Sequence, residues 1–186
     1  MSLNAVCVFC GAQNAVPQEH LDIATELGTK LAAADKSLVY GGGDCGLMGR
    51  VANAVLAAKG KVIGVFPRGL RRIEMEHKGL TKMFLVDTMH ERKQIMYDHA
   101  DVFVILPGGC GTLDEMFEVI TWRQIGIHDK PVLIFNHKGY WNHLVALLEG
   151  MIETGFARAE TRKFYRVVDT MEELLEALEV KAAEPA

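Results

Sequence analysis

The residues best suited to chemistry lie in one glycine-rich segment, Pro107-Gly108-Gly109-Cys110-Gly111-Thr112-Leu113-Asp114-Glu115. The segment follows an apolar run at 102–106 that is typical of a buried strand, and it precedes an apolar-periodic stretch that is typical of a helix. A glycine-rich turn at this place lets backbone N–H groups converge where the helix dipole is positive, which binds phosphate without a lysine. With the Glu115 carboxylate beside it, the turn indicates chemistry on a phosphorylated small molecule.

Thr112 and Glu115 also have the spacing of a capping box, in which both side chains satisfy backbone donors at the start of a helix. In the first helical turn, the positive end of the dipole favours the charged form of a carboxyl group. We therefore expect Glu115 to act as an ionised stabiliser, nucleophile or base rather than as a proton donor.

A second capping box is predicted at Thr88 and Glu91, and it is followed directly by Arg92 and Lys93. Two cations near a helix N-terminus oppose the helix dipole at a cost of a few tenths of a kcal/mol. They are either ligand-binding residues or part of a solvated face, and the spacing alone leaves both alternatives open.

An earlier glycine loop, Gly41-Gly42-Gly43-Asp44-Cys45-Gly46, matches G-x-G-x-x-G between a strand and a helix. A dinucleotide site would also require an acidic residue at the end of the next strand, to bind the ribose hydroxyls. That strand ends in Pro67-Arg68 instead, which disfavours a nicotinamide or flavin cofactor. The loop either lines a nucleotide site or only makes a tight turn.

The elements that must position these loops alternate along the whole chain. Strands are predicted at 5–9, 38–40, 62–66, 83–86, 102–106, 132–135 and 165–168. Helices are predicted near 17–34, 47–59, 88–99, 112–125, 140–153 and 170–179. This order predicts one α/β domain over 1–180, a Rossmann-like doubly wound and mostly parallel sheet with helices on both faces. Residues 181–186 are expected to be a frayed tail.

Composition excludes several classes of protein. The chain has 186 residues and a net charge of -4, so a nucleic-acid partner is not expected. A locally basic segment between Arg68 and Lys93 fits a small anionic ligand. No signal peptide, membrane span, Walker loop or G-x-S-x-G motif is present, and a cytoplasmic location is expected.

The four cysteines do not form a disulfide or metal-site pattern. Cys7 and Cys10 have C-x-x-C spacing, but an extended strand points residues three apart to opposite faces. Cys10, Cys45 and Cys110 are expected near one another at the strand ends, as accessible thiols. We predict no metal site and no cofactor.

The helix after Glu115 is apolar on more than one face, since it carries Met116, Phe117, Val119, Ile120 and Trp122. Such a helix is either deeply buried or packs against a partner. We predict that it forms a homodimer interface.

Several motifs occurring together, in order, resemble those of one known family. They are Tyr40 through Gly49, Met89-His90-Glu91-Arg92-Lys93, P-G-G-x-G-T-x-x-E at Pro107 to Glu115, and Thr121 through His128. They resemble the LOG ("lonely guy") family of cytokinin-activating phosphoribohydrolases, which are often mislabelled lysine decarboxylases. The resemblance extends from Val6 to about Val168.

The resemblance implies a Rossmann-like dimer that hydrolyses the N-glycosidic bond of a nucleoside 5′-monophosphate, either AMP or its isoprenylated form. It implies catalytic roles for Arg92 and Glu115. It places Gly108, Gly109, Gly111 and Thr112 at the phosphate, with Lys93 beside Arg92 and substrate contacts at Glu74 and Thr121. Family members commonly have Cys-Gly-Ser-Ser after the first strand, whereas this chain has Cys10-Gly11-Ala12-Gln13. A non-catalytic nucleotide carrier with the same loops is the alternative.

Overall fold

The structure is a computed structural model that describes residues 3–72 and 74–179. Over these residues the chain forms seven strands: β1 Ala5–Phe9, β2 Ser37–Tyr40, β3 Val62–Pro67, β4 Lys82–Val86, β5 Val102–Ile105, β6 Val132–Phe135 and β7 Arg166–Val168. The same part of the chain forms six α-helices: α1 Gln18–Ala33, α2 Gly46–Ala57, α3 Met89–Asp98, α4 Cys110–Gln124, α5 Asn142–Glu153 and α6 Met171–Ala177. Short 3-10 turns occupy Arg68–Arg72, His137–Gly139 and Ala159–Lys163. The tail predicted at 181–186 lies outside the described residues.

The seven strands form one sheet in the order β4-β3-β2-β1-β5-β6-β7, and every pairing is parallel. The chain first extends the sheet in one direction, from β1 to β4, and then returns to add β5, β6 and β7 on the other side of β1. The strand order thus reverses between β1 and β5, which is where ligands bind in sheets of this kind. The prediction of a doubly wound Rossmann-like fold is confirmed.

Apolar side chains cover both faces of the sheet because alternate strand residues point to opposite sides. In β1, Val6 and Val8 pack with the helices α1, α2 and α6, whereas Cys7 and Phe9 pack with α3, α4 and α5. Cys10 belongs to the first of these clusters and Cys7 to the second, as the C-x-x-C spacing predicted.

A backbone hydrogen bond joins the loops that follow β1 and β5, the two strands between which the strand order reverses. The backbone N–H of Gly11, just after β1, donates to the carbonyl of Pro107, just after β5, at 3.0 Å. The loops after these strands therefore share one wall. Over residues 3–72 and 74–179, none of the helices is both long and apolar enough to cross a membrane.

Candidate active site

A cavity of about 530 Å³ opens at the carboxyl ends of β1, β2 and β5. Its walls come from the loop after β1, the first glycine loop, and the start of α4. This volume lies within the range of small-molecule sites. The loops that follow these three strands, which carry Gly11, Gly41 and Gly109, therefore meet at one edge of the sheet.

The start of α4 differs from the predicted capping box. The helix begins at Cys110 with the extended Gly109 as its N-cap, and no side chain caps it. Thr112 and Glu115 both lie inside the helix, so the Thr112–Glu115 capping box is wrong. Because the glycine-rich turn lets the helix start two residues earlier than predicted, its first N–H groups remain free of side-chain acceptors and can bind an anion.

Open space lies next to two of the loop glycines. A Cβ atom added at Gly109 or Gly111 would have no described atom within 4 Å, apart from those of its neighbours in the chain and of the nearby helix backbone. Both residues line the cavity and are exposed. At Gly108, by contrast, a side chain would overlap Thr112. Packing within the chain thus requires glycine at 108 but not at 109 or 111, and a bound group would fill the space at those two.

Arg92 and Glu115 form a buried ion pair in the cavity wall. Nη1 of Arg92 lies 3.3 Å from Oε1 of Glu115. The guanidinium also donates to the carbonyl of Val65 from Nε at 3.3 Å and to that of Gly41 from Nη2 at 3.4 Å. A side chain at position 41 would overlap Nη2. The first glycine loop therefore has a packing role, because it makes room for this guanidinium.

Helix α3 delivers Arg92 to this position. Its N-terminus has the predicted capping box, in which Glu91 N–H donates to Thr88 Oγ1 and the Glu91 carboxylate accepts from Thr88 N–H. Arg92 follows at the fourth helical position and is buried. The capping box thus fixes the start of α3, and with it the direction in which Arg92 leaves the helix.

Burial raises the pKa of Glu115 from its ordinary value of 4.5 to about 7. Arg92 and Lys93 act against this shift, and Asp114 and Glu118 add to it. The expectation that the helix N-terminus keeps Glu115 ionised is therefore wrong, because loss of water around a buried carboxyl group outweighs the dipole and the ion pair. Near neutral pH, Glu115 can hold a proton.

Glu74 is a second carboxyl group in the cavity wall, and it is half-buried. It accepts a hydrogen bond from the Cys45 thiol, and its carboxylate lies where a side chain at Gly43 would be. The segment that carries it is fixed to the first glycine loop: Asp44 N–H donates to Met75 carbonyl at 2.9 Å. Burial raises the pKa of Glu74, and Arg92 and Cys45 act in the opposite direction.

The structure does not bring Lys93 and Thr121 into the cavity wall. Lys93 Nζ lies 3.1 Å from Asp114 and 2.9 Å from Glu118, so it joins α3 to α4. Thr121 is exposed and lies nine residues after Thr112, roughly 14 Å further along α4. Of the predicted site residues, Glu74, Arg92, Gly108, Gly109, Gly111, Thr112 and Glu115 do line the cavity.

Sequence reasoning missed two aromatic residues of the wall. Tyr140 O–H donates to the Gly108 carbonyl at 2.8 Å, and the Tyr140 ring meets that of His20 edge to face at 5.3 Å. Neither residue belongs to a motif; their only signal is position, because Tyr140 follows the end of β6 and His20 lies in the first turn of α1. Tyr140 therefore holds the backbone just before the start of α4.

The cysteines differ in accessibility from what the sequence predicted. All four are free thiols. Cys10 lines the cavity but is buried, Cys45 is partly buried, and only Cys110 is exposed. The residues that replace the expected serines, Ala12 and Gln13, also line the cavity. Over the described ranges, no group of three or more His, Cys, Asp or Glu side chains could hold a metal ion.

A family described as possible lysine decarboxylase matches residues 48–178 of this chain. Among curated proteins, the chain is 42% identical to the cytokinin riboside 5'-monophosphate phosphoribohydrolase LOG5 of Arabidopsis thaliana. The alignment extends over 174 residues and covers 94% of this chain and 76% of that protein. It is 44% identical to the probable enzyme of the same name, LOGL2, of Oryza sativa subsp. japonica, covering 94% of this chain and 71% of that protein.

Solved structures share the fold at lower identity. The molybdenum cofactor binding protein of Rippkaea orientalis matches with a TM-score of 0.73 and 21% identity, covering 96% of this chain and 97% of that one. The Moco carrier protein of Chlamydomonas reinhardtii matches with a TM-score of 0.70 and 18% identity, covering 95% and 96%. At these identities the similarity establishes the architecture alone.

Proposed function

The chain belongs to the family of cytokinin riboside 5'-monophosphate phosphoribohydrolases, and from this membership we propose that its cavity hydrolyses the N-glycosidic bond of a nucleoside 5′-monophosphate. The products are the free base and ribose 5-phosphate. The observation that carries the proposal is the buried Arg92–Glu115 pair beside the uncapped start of α4. An anion site and a carboxyl group that can exchange a proton thus share one wall.

The phosphate would bind at the start of α4, where Gly109 and Gly111 leave open space. The phosphate does not react, but the free energy gained by binding it holds the anomeric carbon in place. Other enzymes use the binding of a non-reacting part of the substrate in the same way. Cleavage of an N-glycosidic bond develops positive charge on the ribose ring, and a nearby carboxylate stabilises that charge. Arg92, which lies against Glu115, would fix this carboxyl group beside the sugar.

The family description of a possible lysine decarboxylase does not fit the cavity. Pyridoxal-dependent decarboxylation needs a lysine that forms a Schiff base with the cofactor. Among the described residues, none that lines the cavity is a lysine. Lys93, the lysine adjacent to Arg92, is held by Asp114 and Glu118 instead.

The alternative is a non-catalytic nucleotide carrier of the same fold. A carrier needs the phosphate site but has no use for a buried Glu115 whose pKa is raised to about 7. Burying such a group costs stability, and carboxyl groups with strongly shifted pKa values concentrate at catalytic sites. The site therefore favours the enzyme.

AMP and its isoprenylated form are the two substrates we propose, in a cytoplasmic homodimer. The four free thiols fit a reducing compartment. At the end of α4, Ile125 and Ile127 are 64% and 55% exposed, while Phe117 and Trp122 are partly buried. This apolar surface continues from the helix that the sequence predicts to be an interface.

The direct test is to incubate the purified protein with AMP and with isopentenyladenosine 5′-monophosphate, and to follow free base by chromatography. The matched variant is Glu115→Gln, which keeps the shape of the side chain and removes its ability to give or take a proton. We expect wild-type protein to release base and Glu115→Gln to lose at least about 100-fold of the rate. Binding of either nucleotide by the wild-type protein without release of base would favour the carrier.

A further inference from the structure

Two carboxyl groups, Glu115 and Glu74, line the cavity together with Arg92. Arg92 Nη1 contacts Glu115 at 3.3 Å, and the charge of Arg92 also acts on Glu74. The first glycine loop explains this proximity. The guanidinium occupies the space beside Gly41 and the Glu74 carboxylate occupies the space beside Gly43, and two residues of chain span at most about 7 Å. Both carboxyl groups therefore lie in the same wall of the cavity as Arg92.

We propose that Glu74 is a catalytic residue that accepts a proton from the attacking water, while Glu115 donates its proton to the leaving base. The assignment rests on the proposed phosphoribohydrolase function. It gives each carboxyl group the role that hydrolysis of a glycosidic bond requires: one acid for the leaving group and one base for the water.

The two carboxyl groups differ in burial and in their hydrogen-bond partners. Glu115 is buried, and its pKa of about 7 lets it carry a proton into the reaction at neutral pH. Glu74 is only half-buried. Burial raises its pKa too, but the Arg92 charge and the Cys45 hydrogen bond both act against that rise and favour the ionised form. Pairs of carboxyl groups that share a site but differ in burial and in hydrogen-bond partners commonly divide acid and base roles in this way.

The proposed step balances in atoms and charge. The bond between the anomeric carbon and the base nitrogen breaks, and its electron pair leaves with the base. The base takes the proton of Glu115. The water oxygen bonds to the anomeric carbon, and the released proton goes to Glu74. One water is consumed, and exchange with solvent moves the proton from Glu74 back to Glu115 before the next turnover.

A substrate whose leaving group needs no proton separates the two roles. In 4-nitrophenyl riboside 5-phosphate, the nitrophenolate leaves as a stable anion. We expect Glu115→Gln to hydrolyse this compound within a few-fold of the wild-type rate, although it fails with AMP. We expect Glu74→Gln to lose about 100-fold or more on both substrates, since water still needs a base.

Azide distinguishes a missing base from a disturbed structure. Azide attacks carbon without giving up a proton, so added azide should restore cleavage by Glu74→Ala and yield 5-phosphoribosyl azide, detected by mass spectrometry. A merely structural role for Glu74 would give no azide product. The matched control is Glu76→Gln two residues away, whose carboxylate pairs with Arg71 outside the main cavity; it should behave as wild type.

Three results would overturn the assignment. Wild-type rates for Glu74→Gln on AMP would remove Glu74 from the chemistry. Loss of activity on AMP alone, with nitrophenyl hydrolysis retained, would make Glu74 the proton donor. Failure of azide to restore cleavage by Glu74→Ala would contradict a role as base. Failure of the proposed function is a separate result, because wild-type protein would then release no base from either nucleotide.

Discussion

Nη1 of Arg92 lies 3.3 Å from Oε1 of Glu115, and less than a tenth of the surface of either residue is open to solvent. The two residues come from different helices, α3 and α4, on the same face of the sheet. Even this close contact does not hold the pKa of Glu115 at its ordinary value, because burial raises it to about 7. Ionisation of Glu115 therefore destabilises the folded state, and the free energy of unfolding depends on pH.

The first prediction concerns stability against pH. The unfolded chain loses the Glu115 proton near pH 4.5 and the folded chain loses it near pH 7. Between these values only the folded state holds the proton, so the contribution of Glu115 to stability is full below pH 4.5 and is lost as pH rises through 7. The loss is roughly 3 kcal/mol. Denaturant unfolding at pH 5 and pH 8 should show this loss in the wild-type protein but not in Glu115→Gln; equal loss in both would contradict it.

The second prediction is that Gly111→Ala weakens binding without weakening the fold. The position is helical and has open space around it, so alanine is compatible with the free protein. Its methyl group would occupy the place proposed for phosphate, and KM for AMP should rise at least about tenfold, equivalent to about 1.4 kcal/mol. The melting temperature should not fall.

A matched control for this variant is Gly150→Ala. It adds the same methyl group inside α5, at a position that is also surrounded by open space. It should stabilise the protein by about 1 kcal/mol and leave KM unchanged. If Gly111→Ala also left KM unchanged, the phosphate would not bind at the start of α4.

The third prediction concerns Lys93, which the family resemblance places at the substrate. Because it joins α3 to Asp114 and Glu118 of α4, Lys93→Met should loosen the alignment of Arg92 with Glu115. We expect a several-fold fall in kcat with little change in KM. Arg162→Met, which removes the surface pair with Glu149, serves as the control and should change neither. A rise in KM with constant kcat would show that Lys93 contacts the phosphate.

The fourth prediction is that Gly43→Ala displaces Glu74. A methyl group at position 43 overlaps the Glu74 carboxylate, so the side chain must leave its place in the wall. Turnover should fall about as far as in Glu74→Gln, with nucleotide affinity little changed. Gly69→Ala adds the same methyl group in open space, and it should leave turnover unchanged. Normal turnover by Gly43→Ala would mean that the reaction does not need Glu74 where the structure places it.

The fifth prediction concerns assembly. Ile125 is 64% exposed at the end of α4, and in the proposed homodimer it would be covered. Ile125→Lys should therefore shift the protein towards monomer in light scattering at low micromolar concentration. The control is Leu147→Lys on α5, an equally apolar residue that is 56% exposed. A wild-type protein that is already monomeric would contradict the prediction.

Much of the fold could be predicted from sequence because short apolar runs mark parallel strands clearly. Each of the seven strands lies within one residue, at either end, of its predicted range. The capping box at Thr88 was also predictable, because the pattern is local. The similar pattern at Thr112 was misleading, since glycine at 109 and 111 allowed the helix to begin earlier.

The parts of the site that could not be predicted depend on contacts between distant residues. Nothing near Glu115 in the sequence indicates that the chain buries it against Arg92. The glycine loop likewise gives no sign that Gly41 and Gly43 make room for side chains from distant parts of the chain. Side-chain burial of this kind is a property of the assembled fold, whereas strands and caps are encoded locally.

The pairing of β1 with β5 has a consequence for how the protein is made. Val6 pairs with Val102, and the loops that follow these two strands form one wall of the cavity. During synthesis, β1 can pair with β2 long before β5 has left the ribosome, because chains emerge at about 5–20 residues per second. The nascent protein therefore passes through a stage in which one edge of β1 is open and the cavity does not exist. Closing this long-range contact is a slow event by its topology, and the ability to bind nucleotide is acquired only in the second half of translation.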